Sequence, residues 1–229
     1  MSVLTSKGVI TPLQRDIMRS FAELPDSEFF YLTGGTALAD FYLAHRKSYD
    51  LDIFTTQENL VLPFSRLFER RLGKSFPLKV IRRHESFVEF QVGGEKEGTR
   101  VELAYDSPHR LGEPEDSDLG IKVNDYRDLV VDKLLAFYGR AEPRDAVDLF
   151  FILKSEDIWD MAKAAGEKDP GFDLYWLAVA MGKARDYPDE ISRWPVEMIE
   201  EVDAVELKEL FRRLSSELLD RVRALEDKG

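Results

Sequence analysis

Between positions 34 and 52 a small-residue turn, a short helix-forming segment and a strand bearing two acids follow one another directly. The turn is Gly34-Gly35-Thr36, and the acids are Asp50 and Asp52, separated by Leu51. Consecutive glycines end the apolar run 29–32 and admit backbone conformations that other residues avoid. Side chains alternate along a strand, so Asp50 and Asp52 share one face while Leu51 and Ile53 share the other. The two acidic Cα atoms should lie ~7 Å apart, at a rise of about 3.3 Å per residue. A strand–turn–helix–strand unit follows, with one buried sheet face and one face carrying paired carboxylates.

That pair suits a hard divalent cation. Mg²⁺ prefers oxygen ligands and is often held by one or two carboxylates together with substrate phosphates, and Mn²⁺ is an alternative. A pair of such ions can stabilise both the attacking and the leaving oxygen of an in-line displacement. The turn supplies the complementary half. Backbone N–H groups of Gly34 and Gly35 can approach a phosphate closely, Thr36 can donate from its hydroxyl, and a helix start adds favourable partial charge. Arg46 and Ser48, just before the acids, are further phosphate-contact candidates. Glu102 is a candidate third acid. In the stretch 99–105, Val101, Leu103 and Tyr105 face one way and Glu102 the other, between Arg100 and Ala104. An acid on an otherwise apolar strand is costly unless it is paired or metal-bound. The combination predicts binding of a nucleoside triphosphate and nucleotidyl transfer.

The rest of the chain frames this unit. Thr11, Pro12 and Gln14 read as a capping box opening a helix that carries Leu13, Ile17, Met18 and Phe21 on one face. Helices are expected over 37–45 and 63–72, and strands over 29–32, 50–54, 78–83, 87–92 and 99–105, with Gly93-Gly94 as a turn. Beyond Asn124, expected as a helix cap, the pattern is helical over 125–138, 143–153, 155–165, 172–184 and 204–225. The expected organisation is an α/β domain over 1–120 and a helical domain over 121–229, the change falling within 116–124.

A net charge of −12 argues against a broad nucleic-acid-binding face, so any RNA contact should be local. The absence of cysteine excludes disulfides, thiolate metal sites and a cysteine nucleophile. The first sixteen residues lack the apolar core of a signal peptide, and no apolar run approaches the ~20 residues of a membrane span. A cytoplasmic protein with no membrane partner is expected.

In the helical part, Lys133 sits among apolar neighbours and could reach a phosphate, snorkel to solvent or pair with an acid. Asp145, near a helix start, favours the helix dipole. Asp148, amid Val147, Leu149, Phe150 and Phe151, should be buried and paired with Arg140, Arg144 or Lys133. His45, His84 and His109 do not suggest a histidine catalyst. The basic cluster Arg66, Arg70, Arg71, Lys74, Lys79, Arg82, Arg83 and His84 could track a nucleic-acid backbone or form a solvated face. Trp159, Tyr175, Trp176 and Trp194 are expected in packing, and the acidic stretch 197–217 on a helix surface.

Residues 32–54, LTGGTALADFYLAHRKSYDLDIF, resemble the signature of the AbiEii/AbiGii-toxin-like nucleotidyltransferases, within the polymerase-β-like nucleotidyltransferase superfamily. That signature is GGT-A-L followed by H-R-x-S-x-D-L-D and a hydrophobic residue. Residues 132–149, DKLLAFYGRAEPRDAVDL, are similar to the family's second block, K-L-x-A … R-D-x-x-D-L. The resemblance covers about residues 29–153. It implies an α/β (α+β) nucleotidyltransferase-like mixed sheet with flanking helices, followed by a C-terminal helical domain, with a site in the cleft between them. It further implies that Gly34, Gly35 and Thr36 hold the triphosphate, that Asp50 and Asp52 bind metal, and that Lys133 contacts nucleotide phosphate. Asp145 or Asp148 would lie near the site. The third acid varies in the family, so Glu102 is carried over less directly. Family members include toxins of toxin–antitoxin and phage-defence systems, some of which modify tRNA ends.

The expected reaction moves a nucleoside monophosphate from an NTP to an acceptor hydroxyl, with tRNA as one acceptor class and a cognate antitoxin as one protein partner. Two other readings fit the same residues. One is an NTP-binding protein that acts through a partner without turnover. The other is transfer to a small cationic acceptor of the aminoglycoside type, which the acidic charge would attract.

Overall fold

The computed structural model describes residues 3–94 and 97–227. The chain forms two compact units, Met1–Leu129 and Val130–Gly229.

The first unit is built on a six-stranded mixed sheet. Its strands are β1 (Tyr31–Thr33), β2 (Asp50–Thr55), β3 (Leu78–Arg83), β4 (Phe87–Val92), β5 (Thr99–Tyr105) and β6 (Lys122–Val123), in the order β3-β4-β5-β2-β1-β6. β2 runs parallel to β5, and β1 parallel to β6; the other pairs are antiparallel. One face of the sheet carries Leu51, Ile53, Val88, Phe90, Val92, Val101 and Leu103, all fully buried.

Helices α1 (Pro12–Ala22) and α3 (Glu58–Leu72) supply the other half of this core. Helix α1 opens with the expected capping box: the Thr11 hydroxyl accepts from Gln14 N, and Gln14 Oε1 accepts from Thr11 N. Its buried side chains are Gln14, Ile17, Met18 and Phe21, the last three at the three- and four-residue spacing of one helical stripe. Phe21 packs against Phe30, Phe64 and Phe68 with ring centroids 5.8, 4.9 and 5.8 Å away.

Several boundaries differ from the sequence expectation for local reasons. Helix α3 begins at Glu58, five residues before Pro63. Proline removes one backbone bond there, and burial of Val61, Phe64 and Phe68 offsets the loss. Strand β1 starts at Tyr31, because a 3₁₀ turn occupies Ser27–Phe29. The cap of α4 (Tyr126–Arg140) is Asp125, not Asn124: Asp125 Oδ1 accepts from Arg127 N and Asp128 N. The division between units falls inside α4. Its first turn belongs to the first unit, where Leu129 joins the core and Asp128 Oδ2 accepts from Leu111 N and Gly112 N at 2.9 Å.

The second unit contains α5 (Pro143–Ile152), α6 (Ile158–Lys168), α7 (Leu174–Gly182) and α8 (Ala204–Glu226). Helix α5 is buried from Asp145 to Ile152. Helix α8 buries Ala204, Leu207, Phe211, Leu214 and Leu218 and turns its acids outward, so the acidic stretch expected on a helix surface over 197–217 is helical only from Ala204, and 197–203 is not helical. The aromatic expectation needs correction. Trp194 is buried, but Trp159, Tyr175 and Trp176 are 37%, 46% and 58% exposed. Tyr175 and Trp176 lie in the first turn of α7, whose buried side chains are Leu177, Ala178, Ala180 and Met181. No helix among the described residues is long and apolar enough to cross a membrane.

Phe21→Ala should destabilise the first unit by about 3–5 kcal/mol, because it opens a cavity among the three remaining rings, Phe30, Phe64 and Phe68. Chemical denaturation followed by near-ultraviolet circular dichroism would measure the loss.

Candidate active site

The glycine pair lies at the end of β1. Gly34 adopts φ +69°, which turns the chain from the strand directly into a helix, α2 (Gly34–Ala37). Thr33 is in register with Asp52 on the adjacent antiparallel strand. A side chain at Gly34 would collide with the Asp52 carboxylate, whose Cγ would be 2.9 Å from the added Cβ. At Gly35 an added Cβ would lie 2.7 Å from Arg46 Nη2 and 3.0 Å from Ser48 Oγ. Asp52, Arg46 and Ser48 therefore press on the backbone of the turn, which only residues without a Cβ allow.

Thr36 is buried, and its hydroxyl donates to the Asp50 carbonyl. The sequence reading offered this hydroxyl to a phosphate; here it fastens the turn to the acidic strand. The helix expected from Ala37 starts three residues earlier and widens into a π-helix over Leu38–Leu43, closed by the Ala44 N–H bonding to the Ala39 carbonyl at 2.8 Å. On the π segment, buried Asp40 accepts from Val9 N at 2.7 Å, which ties down the chain entering α1. Gln14 Nε2 donates to the Ser48 carbonyl at 3.0 Å, so the residue that completes the α1 cap also holds the loop before Asp50.

Strand β2 places Asp50 and Asp52 on the open face of the sheet, with Leu51 and Ile53 in the core, as alternation requires. The parallel partner β5 sets Glu102 directly beside Asp52 and Arg100 directly beside Asp50. Arg100 Nη2 donates to Asp50 Oδ2 at 2.7 Å, and its Nε lies 3.4 Å from Glu102 Oε1. One strand further, Glu89 is in register with Glu102 and pairs with Arg82. A row of Thr33, Asp52, Glu102, Glu89 and Arg82 thus crosses five strands.

The sequence places Arg100 beside Glu102 on one face of the strand but gives it no role; its bond to Asp50 comes from strand pairing. Asn124, expected as a helix cap, instead joins β1 to Arg110. Its Nδ2 donates to Thr33 Oγ1 at 3.0 Å, and its Oδ1 accepts from Arg110, whose guanidinium lies 4.3 Å from the Tyr31 ring. The Tyr31 hydroxyl donates to Asp106 at 2.6 Å. Burial, then the Asp106 charge, pushes its ionisation well above the usual tyrosine range. This network braces the end of β1 where the glycine turn begins.

In the second unit, Lys133 Nζ lies 2.7 Å from Asp148 Oδ2, with both side chains almost fully buried. Asp145 takes two bonds from Arg140, at 2.6 and 2.8 Å. Of the partners foreseen for Asp148, Lys133 is in direct contact with it.

Among the described residues, no three acidic or histidine side chains are gathered into a ready metal-holding cluster. The donor set on the open face nevertheless fits a hard cation: Asp50 and Asp52 offer carboxylate oxygens on one side of one strand, without nitrogen or sulfur ligands.

The sequence pattern of the family described as "Nucleotidyl transferase AbiEii toxin, Type IV TA system" matches residues 16–228. This chain belongs to the AbiEii nucleotidyl transferase toxin family. Nucleotidyl transfer is accordingly its chemistry, as the glycine turn and acidic strand suggested. An uncharacterized protein of Aquifex aeolicus is 26% identical over 211 residues, covering 90% of this chain and 96% of that protein. Two solved structures share the fold. A candidate nucleotidyltransferase of H. pylori superposes with a TM-score of 0.63 at 18% identity, covering 93% of this chain and 94% of its own. The nucleotidyltransferase toxin MenT4 of Mycobacterium tuberculosis superposes with a TM-score of 0.61 at 17% identity, covering 91% and 82%.

Two predictions follow from the geometry. Gly34→Ala must carry an alanine at positive φ and displace Asp52; calorimetric NTP binding should fall steeply, with a stability loss of at least about 1–2 kcal/mol. Lys133→Met should cost about 3–5 kcal/mol in a denaturant titration, because it removes a buried cation 2.7 Å from the buried Asp148 carboxylate.

Proposed function

We propose that this chain transfers a nucleoside monophosphate from an NTP to an acceptor hydroxyl and releases pyrophosphate. Mg²⁺, or Mn²⁺ in its place, would be held by Asp50 and Asp52. The observation that carries this reading is the packing of Gly34 against Asp52, which brings the backbone turn after β1 next to the carboxylate pair of β2.

The first N–H groups of a helix have no partner within it. Those of Gly34 and Gly35 are the donors for the triphosphate, with Arg46 and Ser48 beside them. Thr36 acts through the backbone, by keeping the turn on β2. Lys133, oriented by Asp148, is assigned to nucleotide phosphate on the family resemblance, whereas Asp145 is engaged with Arg140. Glu102, beside Asp52, is the third ligand or the base that receives the acceptor proton. The acceptor oxygen bonds to the α-phosphorus as the bond to the β-phosphate oxygen breaks. A divalent cation at the two aspartates would offset the charge on the phosphates and on the attacking and leaving oxygens.

The acceptor proposed first is an RNA end contacted locally, because the net charge of −12 disfavours a broad nucleic-acid-binding face. The family description supports a toxin whose action an antitoxin partner counters.

Incubation with each NTP labelled at the α-phosphate, Mg²⁺ and total tRNA tests the reading. Wild type should transfer label, while Asp50→Ala and Asp52→Ala, shown folded by circular dichroism, should lose transfer by at least about a hundredfold. Undiminished metal-dependent turnover in either variant would refute the assignment. NTP binding without transfer to RNA would favour a small-molecule acceptor or a non-catalytic nucleotide-binding role.

A further inference from the structure

The sheet face that carries Asp50, Asp52 and Glu102 also carries a cation, Arg100, which lies between Asp50 and Glu102. Arg100 is in register with Asp50 across the parallel β2–β5 pair and two residues from Glu102 on its own strand. Its guanidinium bonds to Asp50 Oδ2 at 2.7 Å and reaches Glu102 Oε1 at 3.4 Å, spanning both strands. Asp50 and Glu102 thus flank one guanidinium.

A guanidinium and a divalent cation make competing demands on the same oxygens. Arginine takes carboxylate lone pairs through fixed N–H forks, and a metal ion needs those lone pairs directed at itself. Two positive charges cannot share one small carboxylate patch without strong repulsion.

We propose that Arg100 is the resident counter-ion of this site. It neutralises Asp50 and Glu102 in the metal-free protein and withdraws from Asp50 when a divalent cation binds, so that intrinsic metal affinity is set by competition with this side chain. The inference rests on the reading of Asp50 and Asp52 as metal ligands. Its functional consequence is ordered loading. Metal alone must displace a bonded guanidinium, whereas metal arriving with a triphosphate brings phosphate oxygens that can take over the Arg100 charge. The site is then held back from scavenging bare cations and completed by nucleotide. Arg100 acts through Asp50 and Glu102 and is a positioning residue.

The test is Mn²⁺ binding without nucleotide, read from the electron paramagnetic resonance signal of unbound Mn²⁺, on full-length wild type, Arg100→Gln and Asp52→Asn. Arg100→Gln should bind Mn²⁺ about tenfold more tightly than wild type, the equivalent of losing one charge-assisted contact. Its metal-free melting temperature should fall and be restored by Mn²⁺ to a greater degree than in wild type. Equal or weaker Mn²⁺ binding by Arg100→Gln, with binding in wild type abolished by Asp52→Asn, overturns the inference and leaves the metal assignment standing. Absence of Mn²⁺ binding in both wild type and Arg100→Gln overturns both. Should Arg100→Gln fail to fold, phenylglyoxal labelling of wild type, quantified at Arg100 by peptide mass spectrometry, decides the matter. Mn²⁺ should accelerate labelling as the guanidinium leaves Asp50; an unchanged or slower rate overturns the inference.

Discussion

The parallel pairing of β2 with β5 governs the chemistry of this chain. Its register places Glu102 beside Asp52 and Arg100 beside Asp50. A slip of one residue would turn Glu102 into the core and bring a leucine or valine to the open face, since side chains alternate with period two. The fully buried Leu51, Ile53, Val101 and Leu103 oppose such a slip, so the same apolar packing that stabilises the sheet also fixes which charges meet.

The glycine turn depends on that strand. Asp52 lies against Gly34, Arg46 and Ser48 lie against Gly35, and the Thr36 hydroxyl holds the Asp50 carbonyl. Two elements that are separate in sequence become one unit because neither glycine has a Cβ to keep them apart. The surrounding network has a similar economy. Gln14 caps α1 and holds the Ser48 carbonyl, and Asn124 joins Thr33 to Arg110. Such shared partners make the turn stiff, which suits backbone donors that must meet a phosphate without rearranging.

Charges in the two units are handled alike. Asp148, buried in α5, has Lys133, and Asp50, half-exposed on the sheet, has Arg100. A buried or crowded carboxylate requires a cation close by. Where substrate is to bind, that cation becomes an internal competitor for the same oxygens.

Much of the fold was legible in the sequence. Alternation in 78–83, 87–92 and 99–105 yields the strands, the Thr11–Gln14 box opens α1, and the order of glycines and acids announces both the family and the chemistry. These signals are local: they depend on backbone geometry and on spacing within a few residues. Helix starts were less legible where two polar residues compete for a cap, as with Asn124 and Asp125, or where tertiary burial outweighs a proline, as at Pro63. Exposure of Tyr175 and Trp176 could not be read from their apolarity, because it depends on which side of α7 meets the other helices. The sequence alone determined that Asp50 and Asp52 share a face and that a tight turn precedes them. Only the tertiary structure decided that Glu102 and Arg100 join them, that Thr36 bonds to the strand instead of facing outward, and that Lys133 meets Asp148. Those pairings join residues distant in the chain, and strand order and register, which local periodicity does not encode, select them.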